Sequence, residues 1–302
     1  MLDFGDYFLG HCVEHRNESS KIMNADVFFT MGSTHKICQD YAVSHSDEKF
    51  PFAILSDGCS SAIDTDFGSR LLVKATQPDI YQYNWDYDLL LYNAIKNAHT
   101  FCRTLSLADE SLCATLMIAK LEDNFFRILC AGDGYIAAKR PNGTIDVYEF
   151  AFEQGAPYYL RYELNPEIKN GYFEKFGDKT EVLCNQTSYT INANGVISAK
   201  KITACNVTKS NIHFEVAFPI AEFEAVAIMS DGVGSFVKQT NTLTTKNNAL
   251  VPAEEIIKEL MAFKSYAGGF VQRRCQKAFK KFKDQGMQNC DDVSIAVISN
   301  AE

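Results

Sequence analysis

An α+β domain of sheets covered by helices is the fold class this sequence predicts, on two observations. Apolar runs of strand length follow one another as meanders, and the helical segments fall into two pairs, one in each half of the chain. No internal repeat, low-complexity tract or Pro/Ser-rich linker divides the 302 residues. Residues 1–302 therefore read as one domain, with an inserted or variable strand-rich segment around 150–219.

In chain order, the mixed N-terminal stretch gives way to a strand over 25–31. Strands over 41–43 and 50–55 bracket the polar turn 44–49. Apolar residues at helical spacing predict helices over 66–75, with Asp66 as N-cap, and over 87–107. Runs 114–121 and 125–131 form a hairpin about Glu122-Asp123-Asn124. Runs 135–139 and 144–150 form another about Pro141-Asn142-Gly143, whose Asn-Gly pair is a strong turn signal. From 150 to 219, aromatic and β-branched residues with Asn-Gly turns predict strands and an irregular inserted portion. Helices over 253–263 and 269–282 and a strand over 293–299 complete the chain.

Composition narrows the function classes. A hydrophobic content of 46% supports a substantial core, and a net charge of −9 argues against a nucleic-acid surface. The one basic stretch, Arg273-Arg274, Lys277, Lys280-Lys281 and Lys283, has the spacing of the solvated face of an amphipathic helix. No apolar run approaches the roughly twenty residues of a membrane span, so no membrane partner is expected. The opening Met1-Leu-Asp-Phe-Gly-Asp has neither the basic nor the apolar region of a signal peptide. Ten scattered cysteines without a Cys-x-x-Cys pair suit reduced, buried thiols and a cytoplasmic location. The Asn-x-Ser/Thr matches at Asn17, Asn142, Asn185 and Asn206 are then chance occurrences. The aromatic segment 145–177 is where substrate or partner contact would fall if it is not simply packed strands.

The chemistry-bearing pattern is acidic. Phe52-Ala-Ile-Leu-Ser56-Asp57-Gly58 and Ala225-Val-Ala-Ile-Met-Ser230-Asp231-Gly232 are both apolar runs ending in Ser-Asp-Gly. Each reads as a buried strand whose Asp leaves the sheet, followed by a Gly that lets the backbone turn and approach a ligand. Asp40 and the pair Asp291-Asp292 occupy comparable strand-edge places. A single strand-end Asp is an ordinary turn residue. Several converging ones would repel without a cation, and Mg²⁺ and Mn²⁺ take oxygen ligands.

Other motifs fall away. Gly132-Asp-Gly134-Tyr-Ile-Ala137 matches a dinucleotide fingerprint but runs into a hairpin where that motif must open a helix. No phosphate-binding P-loop, His-Glu-x-x-His or cysteine-phosphatase motif is present, and Asp64-Thr-Asp66 lacks the long preceding strand of haloacid-dehalogenase-type phosphatases.

The ordered set Gly32-Ser-Thr-His35-Lys-Ile-Cys38-Gln39-Asp40, Leu55-Ser-Asp57-Gly58, Cys113-Ala-Thr115-Leu, Ala131-Gly-Asp133-Gly, Met229-Ser-Asp231-Gly and Asp291-Asp-Val-Ser294 resembles the metal-dependent Ser/Thr protein phosphatases of type 2C, the PPM family, in their bacterial branch. The resemblance spans about residues 30 to 299. It implies a β-sandwich of two antiparallel sheets flanked by pairs of helices, with two Mn²⁺ or Mg²⁺ ions, and in some relatives a third, at one edge. It implies that Asp57 bridges two metals and the Gly58 carbonyl binds one. Asp231 and Asp291 then complete the other, Asp40 acts directly or through water, and Asp133 takes the third-metal position. The activity implied is phosphoserine/phosphothreonine hydrolysis by a metal-bridging hydroxide, on a phosphoprotein substrate and opposing a Ser/Thr kinase.

The chain departs from that pattern in several places. Gln39 stands where many relatives have Glu. His35 or Lys36 stands near the phosphate-clamping Arg and provides no bidentate fork. Cys59 replaces a His of eukaryotic members, and Asp292 stands where relatives usually have Asn. Gln39 and the missing Arg leave a second expectation open, a catalytically inactive metal-binding or phosphoprotein-binding module of the same fold.

Overall fold

The structure, a computed structural model, describes residues 23–47, 50–80, 82, 86–241 and 246–301. The opening residues read for a signal peptide, and Asn17, lie outside them.

Two antiparallel sheets stack face to face. The larger has eight strands among the described residues, on the path Asn24–Thr30, Val293–Ser299, Ala225–Met229, Gly134–Lys139, Ile145–Phe152, Cys184–Asn192 and Gly195–Val196, with Lys201–Ala204 also paired to Cys184–Asn192. The smaller runs Phe214–Pro219, Phe125–Ala131, Leu116–Glu122, Phe52–Ser56 and Tyr41–His45. Both sheets are buried on both faces, which is why their central strands read as unbroken apolar runs rather than alternating ones. Ala53 and Leu55 point into the core between the sheets, where they meet Ile136, Ala138, Val226, Ile228, Ala296 and Ile298. Phe52 and Ile54 point the other way, against helices α1 (Thr65–Thr76) and α2 (Tyr87–Thr104). On the far side Ala137, Val147, Ala227, Ile295 and Val297 pack against α4 (Ala253–Leu260) and α5 (Phe270–Asp284), with α3 (Pro166–Phe176) between in sequence. The predicted sandwich with paired helices is the observed architecture.

Several boundaries differ from expectation. The helix read as 87–107 stops at Thr104 because Ser106 adopts φ 57° and the Leu107 N–H closes back onto the Cys102 carbonyl. The helix read as 253–263 ends at Leu260. Asp66 is not the N-cap: α1 begins at Thr65, with Asp64 at the cap position and no side-chain cap bond. Segment 150–219 contributes strands to both sheets. Cys184–Asn192 is an inner strand of the large sheet, Phe214–Pro219 edges the small one, and α3 replaces part of the expected strands. The hairpin Phe236–Asn241 with Lys246–Leu250, joined by Met287–Asn289, was not anticipated.

The basic stretch is the outer face of α5, as its spacing predicts, with Arg274 and Lys281 turned to Glu259 on α4. Asp26, in the first strand, accepts the Val271 and Gln272 N–H groups at 2.6 and 3.1 Å and so caps α5 across the fold. Among the described residues no helix is long and apolar enough to cross a membrane.

Candidate active site at the sandwich edge

Strand ends from both sheets place carboxylates at one edge of the sandwich. Asp57 follows Phe52–Ser56, and Asp133 lies between Phe125–Ala131 and Gly134–Lys139. Asp231 opens the short turn Asp231–Ser235 after Ala225–Met229, and Asp291 precedes Val293–Ser299. These four line a cleft of about 340 Å³ together with Gly58, Thr115, Pro157 and Tyr159. No basic side chain is among the residues that line it. A larger recess, about 600 Å³, lies between α5 and Met287–Asn289, but aromatic rings and two lysines line it and no carboxylate does. Volume therefore does not locate the chemistry; charge does.

The backbone around each carboxylate is specialised. Gly132 and Gly134 hold φ of 111° and 134°, so the Asp133 turn uses a conformation that L side chains rarely adopt. This is the glycine pair that imitates a nucleotide motif, and here it serves a strand-to-strand turn. A Cβ at Gly232 would run into the Asp292 carbonyl, so the turn carrying Asp231 lies directly on the segment carrying Asp291. Asp57 is pinned by Thr115: its N–H donates to Thr115 Oγ1 at 3.0 Å, and its carbonyl accepts the Thr115 N–H at 2.8 Å. Gly58 continues the contact through a bridge to Ala114.

Asp40 does not line the cleft. It is fully buried and touches Asp57 from behind. Its Oδ2 accepts the Ser230 hydroxyl at 2.8 Å, while Oδ1 has no hydrogen-bond donor in the protein. Ser230 in turn accepts the Ser294 N–H at 2.9 Å. Asp292 is also buried, and both its oxygens are engaged. Oδ1 accepts the Gly32 N–H at 2.6 Å and Oδ2 the Gln39 N–H at 2.5 Å. His35 lies between the tandem acids, with Nε2 3.3 Å from Asp291 Oδ1 and Nδ1 3.1 Å from Asp292 Oδ1. The Nδ1 approach has ion-pair distance but not hydrogen-bond alignment. Lys36 is exposed, and neither it nor His35 lines the cleft. Gln39 donates its side-chain amide to Thr65 Oγ1 at 2.5 Å.

Electrostatics distinguish this edge from an ordinary set of turns. Burial pushes Asp40 up to about 7, against the Ser230 hydroxyl bond, which favours the anion. Asp57 is raised well above the usual carboxylate range by removal from water, then by the charges of Asp40 and Asp231. Asp133 is raised by burial and by Asp231, and Asp231 by burial and by Asp291. Among the described residues no three His, Cys, Asp or Glu side chains are drawn into a ready-made coordination set. Crowded carboxylates without a counter-charge repel one another. An all-oxygen donor set, an orphaned buried Asp40 oxygen and the lack of a lining cation fit hard divalent ions.

Sequence reasoning named every carboxylate of the cleft. It did not single out Thr115, Ser230 and Ser294 as supports, although each lies within a quoted motif. Nor did it foresee that only the stretch Gly155–Tyr159 of the aromatic segment reaches the cleft, while Tyr158, Tyr172 and Phe173 pack in the core.

Comparison with known proteins bears on the fold. Residues 32–153 match the family model described as Protein phosphatase 2C. No curated protein sequence matches significantly. Among solved structures, the chain is similar to a point variant of a bacterial serine phosphatase (13% identity, TM-score 0.52, covering 92% of this chain and 97% of that one). It is similar to the S. agalactiae serine/threonine phosphatase (12%, 0.51, 92% and 99%). It is also similar to serine/threonine phosphatase Stp1 from Staphylococcus aureus (13%, 0.50, 99% of each). Residues 32–153 thus resemble protein phosphatase 2C, and the chain shares the fold of these bacterial phosphatases.

Proposed function

We propose that the protein is a metal-dependent protein phosphatase that hydrolyses phosphoserine and phosphothreonine with Mn²⁺ or Mg²⁺ at the sandwich edge. The observation that carries this reading is the convergence of Asp57, Asp133, Asp231 and Asp291 on one cleft that no cationic side chain neutralises. Asp57, the Gly58 carbonyl, Asp231 and Asp291 are the groups that would hold two ions, and Asp133 is the one that would hold a third. When bound, such ions would supply Lewis-acid charge and lower the pKa of water for attack on phosphorus. The remaining work falls to the chain. Thr115 fixes the backbone of Asp57, and Asp40, held by Ser230, orients its carboxylate from behind. Pro157 and Tyr159 line the same cleft and would meet a phosphoprotein bound there.

His35 we assign to positioning Asp291 rather than to clamping phosphate, because its ring is engaged by both tandem acids. Lys36 lies outside the cleft and has no assigned part. The substrate class, an opposing Ser/Thr kinase and a cytoplasmic setting follow from the same reading. Gln39 favours a second one, a module that binds metal or phosphoprotein without turnover, since its amide serves Thr65 and adds no charge.

Mn²⁺-titrated hydrolysis of a phosphothreonine peptide separates the two. Asp57→Asn and Asp231→Asn should each abolish metal-dependent turnover with the far-UV spectrum unchanged. Saturable Mn²⁺ binding without turnover would establish the module instead. Neither binding nor turnover would refute both.

A further inference from the structure

Cys184 and Cys205 stand directly opposite each other on neighbouring antiparallel strands. The ladder pairs Lys201 with Ser188 and Ala204 with Asn185, and one step further the Cys205 N–H donates to the Cys184 carbonyl at 2.9 Å. Opposed residues project their side chains to the same face with Cα atoms about 4.5–5.5 Å apart. That separation lies inside the roughly 4.4–6.8 Å a disulfide spans. Cys205 Sγ is 3.5 Å from the Cys184 carbonyl oxygen, so its side chain lies along the pair. Both are free thiols, Cys184 fully buried and Cys205 partly exposed.

We propose that Cys184 and Cys205 form an oxidation site, converted by a peroxide-class oxidant into a cross-strand disulfide. The Cys205 thiolate attacks one peroxide oxygen and the O–O bond breaks. The departing hydroxide recovers the proton Cys205 has lost and becomes water, leaving Cys205 as a sulfenic acid. The Cys184 sulfur then attacks the Cys205 sulfur and the S–O bond breaks. The hydroxyl leaves as a second water with the Cys184 proton. Two thiols are oxidised to one disulfide, and one peroxide is reduced by two electrons to two waters.

The surroundings divide the two roles. Hydrogen bonds from the Cys184 thiol and the Gln186 N–H hold the Cys205 thiol below its ordinary value, against the opposing effect of burial. The same contact, and then burial, hold the Cys184 proton in place. The more exposed sulfur is thus the attacking one and the buried sulfur resolves it. Cys130, also in this core, is fully buried, pushed up by burial, and donates to the Gly132 carbonyl at 3.6 Å. It remains a neutral thiol.

The bond would act on a strand with little else to hold it. All four residues of Lys201–Ala204 are exposed, and among the described residues the strand pairs only with Cys184–Asn192. Cys184 also shares its core with Phe152, Tyr158 and Phe173, the packing beneath the Pro157–Tyr159 wall of the cleft. The inference does not depend on the phosphatase reading.

The full folded chain treated with hydrogen peroxide and digested without reduction should yield one cross-linked species joining the Cys184 and Cys205 peptides, lighter by two hydrogens. Amide exchange over 201–204 should slow about tenfold. C205S should remove the link and leave Cys184 alkylatable. Recovery of both cysteines in alkylated form, linkage of either to Cys130, or over-oxidation of Cys205 with Cys184 still free would each overturn the proposal. The wild-type peptide map decides the matter even if C184S does not fold.

Discussion

Asp292 serves the site through the backbone it holds rather than through the charge it carries. Two N–H groups, of Gly32 and Gln39, point at its two oxygens from a segment some 250 residues away in sequence. Loss of the side chain would orphan both donors in a buried place, at about 1–3 kcal/mol each. Asp292→Ala should therefore lower unfolding free energy by roughly 3 kcal/mol in a urea titration. Asp292→Asn should recover only part of that loss, because an amide offers one acceptor and turns its NH₂ toward the second donor. Equal stability of the Asn variant and wild type would contradict the two-donor account. The same reasoning applies to Thr115, whose hydroxyl accepts the Asp57 N–H. Thr115→Val should cost about 1 kcal/mol and lower metal affinity, read from a Mn²⁺ binding isotherm. Identity of the acids was legible in the sequence, because strand-end Asp-Gly pairs have a local signature. Their supports were not legible, because a Ser or Thr becomes an acceptor for a distant N–H only when the strands come together.

Glu259 ties the last helical pair together from the final turn of α4. It accepts from Lys281 Nζ at 2.6 Å and from the Arg274 guanidinium, both on α5. Burial alone would raise its carboxyl; hydrogen bonds and charge from Lys281 and Arg274 outweigh that and hold it below the ordinary glutamate value. A carboxyl with a depressed folded pKa contributes stability above its unfolded pKa, near 4.3, and loses it as pH falls through the folded value. Stability measured from pH 6 to pH 3 should therefore include a fall of about 1 kcal/mol that Glu259→Gln removes. An unchanged pH slope in the variant would show the clasp to be idle. Element type was readable wherever strands bury both faces, as in Phe52–Ser56 or Ala225–Met229. Helix α3 was missed although its start carries a signal, Asn165 accepting the Glu167 N–H at 2.8 Å before Pro166 at N1. Its aromatic content masked it: Tyr172 and Phe173 are its buried residues, too few to mark a helical stripe amid so many β-forming neighbours.

At the scale of the whole molecule, the acidic edge is a seam between the two sheets. Asp57 belongs to the five-stranded sheet, while Asp133, Asp231 and Asp291 lie at strand ends of the eight-stranded one. Burial first, and then the charges of the neighbouring acids, raise Asp57, Asp133 and Asp231 above the usual range. Cations shared across the seam would remove that repulsion and join the sheets at this end. Function and stability should therefore oppose each other here. Mn²⁺ at about 100 times its dissociation constant should stabilise the fold by about 2.7 kcal/mol. For a domain of this size that corresponds to a rise in Tm of roughly 4 °C, reversed by chelator. Asp231→Asn deletes one charge from the seam without deleting volume. Its chelated form should melt a few degrees above chelated wild type, while its response to Mn²⁺ shrinks. A variant that melts below wild type in chelator and still gains the full Mn²⁺ increment would mean that Asp231 neither repels its neighbours nor meets the ion. The convergence of strand-end carboxylates would then have a purely structural origin.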